Sequence, residues 1–266
     1  LGWLLKETEA VPHISTKVRL DPHRLDDIAG QIEDSLTASL TRLERPGVDL
    51  LLLHNRVAAE TGEQAIAMKH VLGKGGAADG LERMRAQGLA RFIGFTALGD
   101  GACCRRVAES DRFDAAQVYY NMLNPSAGRP MPRGWSGQDF GGLMETCRAQ
   151  DLGVMAIRVF AAGVIAIDRR TGRESPSAED ADIAKEERRT RAVFDAIGME
   201  HGTRAQMALR FVLADPHVSC AIAGLSEISH IDEALAAVDM GPLPQPVIAQ
   251  INNLYADNFG LSPQPG

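Results

Sequence analysis

Two residues in this chain of 266 have types and settings that point to chemistry. Lys17 lies within the apolar run HISTKVRL (13–20). His54 closes the greasiest run in the sequence, GVDLLLLHN (47–55). A lysine inside an apolar strand is costly unless it is paired or solvated. An imidazole that follows four leucines is either a hydrogen-bonded core residue or a group aimed into a site. Taken singly, each reads first as structure: a snorkelling lysine and a satisfied core histidine. Taken together, on consecutive strands, they can face one pocket, and the balance shifts toward acid–base or substrate-orienting work.

A shared pocket requires strands that deliver both residues to one end. Six apolar runs are spaced along the chain: 13–20, VDLLLLHN (48–55), ARFIGFTA (90–97), AAQVYYN (115–121), GVMAIRVFA (153–161) and VSCAIAGL (218–225). They are continuous rather than alternating, as expected of parallel strands covered on both faces. Helical stretches separate them. Residues 26–43 carry apolar positions Ile28, Ile32, Leu36, Leu40 and Leu43 at helical spacing. GLERMRAQG (80–88) and GGLMETCRAQDLG (141–153) each end in a glycine suited to the residue after a helix. Residues 185–202 and 203–215 read as a helix pair.

Segments 56–79 and 122–140 read as long loops, 168–183 as a polar mobile loop, and 241–266 as a C-terminal tail or loop. No linker interrupts residues 1–266, so a single domain is expected. Serial βα units fit an open doubly wound sheet or a (β/α)8 barrel. LGDGACC (98–104) lacks the third glycine of a dinucleotide turn, and GKGGAADG (73–80) is not a phosphate loop. The barrel is favoured, although six strands fall two short of eight. In a barrel the reactive groups sit at the C-terminal strand ends. Here those ends carry Lys17, His54, Thr96, Gln117, Asn121, Arg158 and Gly224.

Composition narrows the function classes. A net charge of −7 and the lack of any Lys/Arg block argue against a nucleic-acid surface. The four cysteines form no C-x-x-C pair and no zinc spacing, so no metal site is expected and a reducing, cytoplasmic setting is. No apolar run approaches the ~20 residues of a membrane span.

Several of these stretches together resemble the aldo-keto reductases. STKV (15–18) and DLLLLHN (49–55) resemble the family's lysine and histidine strands. GLERMRAQGLARFIGFTAL (80–98) is similar to its helix–glycine–strand passage, and FDAAQVYYNML (113–123) to its glutamine strand. GVMAIRVFAAG (153–163) resembles the strand and loop that lead to the cofactor diphosphate. AQMALRFVLADPHVSCAIAGLSEISHIDEALAA (205–237) resembles the last helix, eighth strand and cofactor-clamping helix. The likeness runs from about Lys6 to Val238, with six motifs in the family's order.

The resemblance implies an α/β (β/α)8 barrel that reduces carbonyls, or oxidises alcohols, with NAD(P)(H). In such enzymes a tyrosine protonates the carbonyl oxygen as hydride arrives. Lys17 would lower that tyrosine's pKa, and His54 would orient the carbonyl. Thr96 would meet the nicotinamide carboxamide, and Gln117 would contact the cofactor. Ala161, Gly163, Gly224 and Ser226 would lie along the phosphates, with His230 near the adenosine phosphate and Glu233 near the adenine, and Arg158 would pair with substrate, with a cofactor phosphate or with a carboxylate at the barrel mouth. NADP(H) is the expected cofactor and NAD(H) the alternative, because no Lys or Arg occurs between Ala221 and Val238. The partner is a small carbonyl or alcohol substrate.

The chain also departs from the pattern. The family's aspartate and tyrosine precede the lysine strand, but residues 1–16 contain neither type. The resemblance therefore implies an upstream segment of roughly 60 residues, at ~30 per βα unit, holding the first two strands. Low activity is expected of this chain alone. Tyr119 and Tyr120 read as packing residues. Ala97 replaces an asparagine that would hold the carboxamide, and Ile157 replaces a stacking aromatic. These losses keep a second reading open, a nucleotide-binding or regulatory module of the same fold. A lyase or sugar-phosphate enzyme on an unrelated barrel is a third.

Overall fold

The computed structural model describes residues 1–8, 10–168, 172 and 182–261. They divide into two compact units, Leu1–Gln117 with Thr146–Gly153, and Val118–Glu145 with Val154–Gly266.

The first unit opens with a short helix α1 (Gly2–Glu7), then β1 (Ser15–Val18), α2 (Ile28–Leu43) and β2 (Val48–Leu53). Two three-residue strands follow, β3 (Arg56–Ala58) and β4 (Ala65–Ala67), and then α3 (Met68–Leu72) and α4 (Ala77–Ala86). β5 (Ala90–Ala97) and α5 (Gly101–Ala108) lead into β6 (Ala115–Tyr119). β1, β2 and β5 lie side by side and parallel. The start of β6 joins β5, where Asp114 N–H donates to Ile93 O at 2.8 Å.

Burial explains the leucine run. Leu51, Leu52 and Leu53 are all fully buried, so both faces of β2 are covered. α2 supplies part of the cover through Ile28, Ile32 and Leu36, and the Asp27 carboxylate caps its first turn by accepting from Gly30 N–H at 2.9 Å. At the start of the strands Asp49 accepts from Ile14 N–H at 2.8 Å and meets His13 Nδ1 at 3.1 Å. The backbone bond from Ile14 and the contact with His13 hold this carboxyl below its ordinary pKa.

The second unit contains β7 (Gly153–Ile157, whose first residue belongs to the other unit), α7 (Ile183–Ile197), α8 (Arg204–Leu213), β8 (Val218–Ala221), α9 (Ser229–Asp239) and α10 (Gln245–Ala256). β7 and β8 are parallel. The end of β6 joins β7 where Tyr120 N–H donates to Ile157 O. A reciprocal capping box, Thr203 with Gln206, starts α8. α9 buries Ala237 and leaves Ile231, Leu235 and Val238 exposed, as is Ile228 just before it.

The six apolar runs all became strands of this parallel α/β arrangement. Other expectations change. Segment 56–79 is no plain loop, because it holds β3, β4 and α3. The helix in 141–153 spans Leu143–Ala149 (α6), and its left-handed residue is Asp151 rather than Gly153. Within the stretch expected as a tail, Gln245–Ala256 form α10. Gly88 does follow α4 in the left-handed region, φ 74°, with Leu89 N–H closing back on Met84 O. Most of the 168–183 segment lies outside the described residues.

Candidate active site

Strand register assembles the first group of residues. Lys17 pairs with Leu52, and Leu52 with Gly94. Laterally paired residues share a face, and so do residues two apart on one strand. Lys17, His54 and Thr96 therefore share a face at the C-terminal ends of three adjacent parallel strands. The ladder continues one rung beyond β2, where His54 N–H donates to Val18 O at 2.8 Å. Gly94 belongs to this face too. A Cβ there would meet Leu52 Cδ2 at 2.7 Å and, closer still, the backbone oxygen of Ala115, which cannot turn aside, so the position takes glycine.

Lys17 and His54 are exposed, whereas Thr96 is buried. The His54 pKa lies below the ordinary 6.5. Partial burial strips water from the imidazolium, and the positive charges of Lys17 and Arg19 oppose its formation. At neutral pH the ring is thus neutral and keeps one N–H to donate.

Thr96 Oγ1 and Gln117 Oε1 are sealed from solvent, and neither has a hydrogen-bond partner. Buried polar atoms are nearly always satisfied. Orphans on the neighbouring strands β5 and β6 suit a polar group that the chain itself does not supply. An amide, which both donates and accepts, fits a hydroxyl and a carbonyl oxygen.

The second unit carries the other candidates. Arg158 (φ 60°) is left-handed, and after Phe160 (φ −98°) so are Ala161, Ala162 and Gly163 in succession. The amides of Ala161 and Gly163 are spent within this turn, on Arg158 O at 2.8 Å and Phe160 O at 2.9 Å. Gly224 has open space where a Cβ would stand. Ser226 N–H faces His230 Nδ1 at 3.4 Å. Glu233 accepts from Thr203 Oγ1 at 2.5 Å, so this carboxylate is engaged at the start of α8. Each of these residues is present, but His230 and Glu233, expected on the adenosine side, both already meet neighbours.

The three tyrosines are all buried. Tyr119 stacks on Phe140, Tyr120 donates to Asp215 Oδ2 at 3.1 Å, and Tyr255 donates to Met122 O at 3.0 Å. Burial pushes the hydroxyls of Tyr120 and Tyr255 above the ordinary phenol pKa, the opposite of what an acid catalyst needs. A cleft of about 800 Å³, lined by His13, Asp49, Arg91 and Phe92 among others, lies at the N-terminal ends of the first unit's strands. It is remote from Lys17 and His54, and its Asp49 and Asp114 are committed to backbone and arginine partners.

Asn121 stood among the strand-end residues without an assigned role, and Asn55 escaped the sequence reading. Asn55 is 1% exposed and binds both backbone groups of Leu20. Asn121, fully buried, donates to Arg158 O at 2.9 Å and accepts from the amides of Leu123 and Asn124. A short polar residue after an apolar strand resembles any turn residue, so only its position at a strand end marked Asn121. Among the described residues no His/Cys/Asp/Glu cluster is placed to hold a metal ion, and no helix is long and apolar enough to cross a membrane.

No curated protein sequence matches the chain. Solved structures do. An aldo-keto reductase from Bacillus halodurans in its holo form superposes with a TM-score of 0.69 at 17% identity, over 96% of this chain and 75% of that one. An aldo/keto reductase from Klebsiella pneumoniae, determined with NADP and acetate, gives a TM-score of 0.63 at 19% identity, over 96% and 74%. These likenesses establish the fold, that of the (β/α)8 barrels. The family model of the aldo/keto reductases matches residues 2–256, so the chain belongs to the aldo/keto reductase family.

Proposed function

We propose that this protein interconverts aldehydes or ketones and alcohols with NAD(P)(H), through Lys17 and His54. The observation that carries the reading is the cofacial set of Lys17, His54 and Thr96 at parallel strand ends, with Lys17 acting electrostatically on His54. A neutral His54 N–H donates to the carbonyl oxygen and fixes its direction. Lys17 places positive charge where negative charge gathers on that oxygen. Thr96 and Gln117 hold unpartnered oxygens that the chain covers, and a carboxamide would pair with them once the covering side chains turn aside. By the family likeness, residues 158–163, Gly224 and Ser226 would hold the remainder of a dinucleotide, and a reduced nicotinamide supplies the hydride. NADP(H) is the first cofactor to try, as one similar structure contains NADP.

The test is oxidation of NADPH or NADH, followed by absorbance, against a panel of small aldehydes and ketones. Carbonyl-dependent oxidation lost in both Lys17→Met and His54→Ala supports the reading. Oxidation that survives both substitutions would end it.

A second reading, a nucleotide-binding module with little turnover, draws on different observations. The tyrosines are engaged elsewhere, and Ala97 and Ile157 cannot hydrogen-bond or stack on a nicotinamide. Dinucleotide binding by calorimetry without carbonyl-dependent oxidation would favour it. No dinucleotide binding would remove both.

A further inference from the structure

We propose that Asn55 is a positioning residue that sets the spacing of His54 from Lys17, acting through the backbone of Leu20. This deepens the functional reading above and rests on it. Asn55 Oδ1 accepts from Leu20 N–H at 2.7 Å, and Asn55 Nδ2 donates to Leu20 O at 2.9 Å. One side chain thereby closes both backbone groups of a residue 35 positions earlier. Asn55 and Leu20 are each 1% exposed, so water does not compete for these bonds.

The location gives the clamp its consequence. Among the described residues β1 has a strand neighbour on one side only, β2. The regular ladder between them stops at the bond from His54 N–H to Val18 O. Beyond it the chain that follows β1 would be free to part from the chain that follows β2, carrying Arg19 away and loosening His54 against Lys17, which the ladder holds opposite Leu52. Asn55 holds the next accessible point, Leu20, and Asn55 is also the residue that follows His54. The same amide therefore fixes the backbone on both sides of the pair. Arg19 lies between the two anchored residues, Val18 and Leu20, so its charge is fixed relative to His54 as well. An apolar residue at 55 would leave two buried backbone groups of Leu20 unpaired. A shift of an ångström at such a site is enough to cost catalysis heavily.

The experiment is a double-mutant cycle read by NMR titration of the His54 ring, in the unmutated chain, Lys17→Met, Asn55→Ala and the double variant. Removing Lys17 should raise the His54 pKa where Asn55 is intact, and by less than half as much in the Asn55→Ala background. An equal rise in both backgrounds, or no rise with Asn55 present, overturns the proposal. Should Asn55→Ala fail to fold, Asn55→Ser enters the same cycle, and amide exchange at Leu20 in the unmutated chain gives an independent reading. Exchange there as fast as in an exposed loop also overturns it. The cycle needs no turnover, so a protein inert toward every carbonyl would defeat the functional reading and leave this one decided. Where turnover is measurable, Asn55→Ala should lower kcat per dinucleotide-binding site counted by calorimetry, a normalisation that removes any loss of folded protein. An unchanged value overturns the proposal.

Discussion

His54 ties the strand ends to pH. Its folded-state pKa is depressed below 6.5, so between that value and 6.5 the unfolded chain binds the extra proton. Stability from this residue is fully present above about 6.5 and is lost as the pH falls through the folded value. Denaturant unfolding between about pH 7.5 and 5 should show a loss that His54→Gln removes and Lys17→Met reduces. A loss unchanged in both variants would place its origin elsewhere. Thr96 separates binding from folding in the same way. Its hydroxyl has no partner, so Thr96→Val should leave stability unchanged or raise it by up to ~1 kcal/mol. Dinucleotide affinity should fall about tenfold, the equivalent of ~1.4 kcal/mol. Melting and calorimetry on one sample check both halves, and a large drop in melting temperature would mean that the hydroxyl is structural. At this scale the sequence displayed residue types but not engagements. Nothing in Glu233 announces Thr203, and nothing in Asn55 announces Leu20; both partners are brought close only by the fold.

Elements were legible where burial acts on both faces and obscure where it does not. β2 and β6 are apolar at nearly every position because each position is buried or nearly so, and such runs survive without alternation. β3 and β4 have three residues each and no pattern long enough to read. α10 hides behind PLPQP, although a proline in the first turn is a helix-start signal, and Val247, Ile251 and Tyr255 repeat every fourth residue as its buried face. The strand that most tightly constrains the candidate site is β5. A Cβ at Gly94 would press on Leu52 and on the carbonyl of Ala115, one a side chain of β2 and the other backbone of β6. Gly94→Ala should destabilise by about 1–3 kcal/mol, as overpacking does, measured by denaturant unfolding. It should also disturb His54, two residues beyond Leu52, so its NMR titration should change. A fully stable Gly94→Ala with an unaltered His54 would show that the strands part there at no cost and that their close approach does not hold the histidine.

For the molecule as a whole, the open matter is which group delivers the proton. The lysine and histidine that the sequence resemblance singles out, Lys17 and His54, both reach one end of parallel strands. The same likeness implies a tyrosine, and this chain's three are buried, bonded or stacked inside the second unit. A positioned acid contributes about 10²–10⁴-fold to such a reaction. Dinucleotide binding should therefore persist in this chain while carbonyl reduction runs slow by a factor of that order. Slow turnover drawing its proton from solvent has a signature. Its rate should rise with the concentration of a small buffer acid, and Tyr119→Phe and Tyr120→Phe should leave kcat unchanged. Tyr120→Phe should still cost about 1 kcal/mol of stability, because it removes the hydroxyl that donates to Asp215 Oδ2. Abolished turnover in a folded Tyr120→Phe protein would assign that tyrosine a catalytic part despite its burial. A rate indifferent to buffer acid with both tyrosines replaced would leave water or the His54 imidazolium as the donor, and a rate that falls as the pH rises through the depressed His54 pKa and levels off below it would assign the proton to the ring.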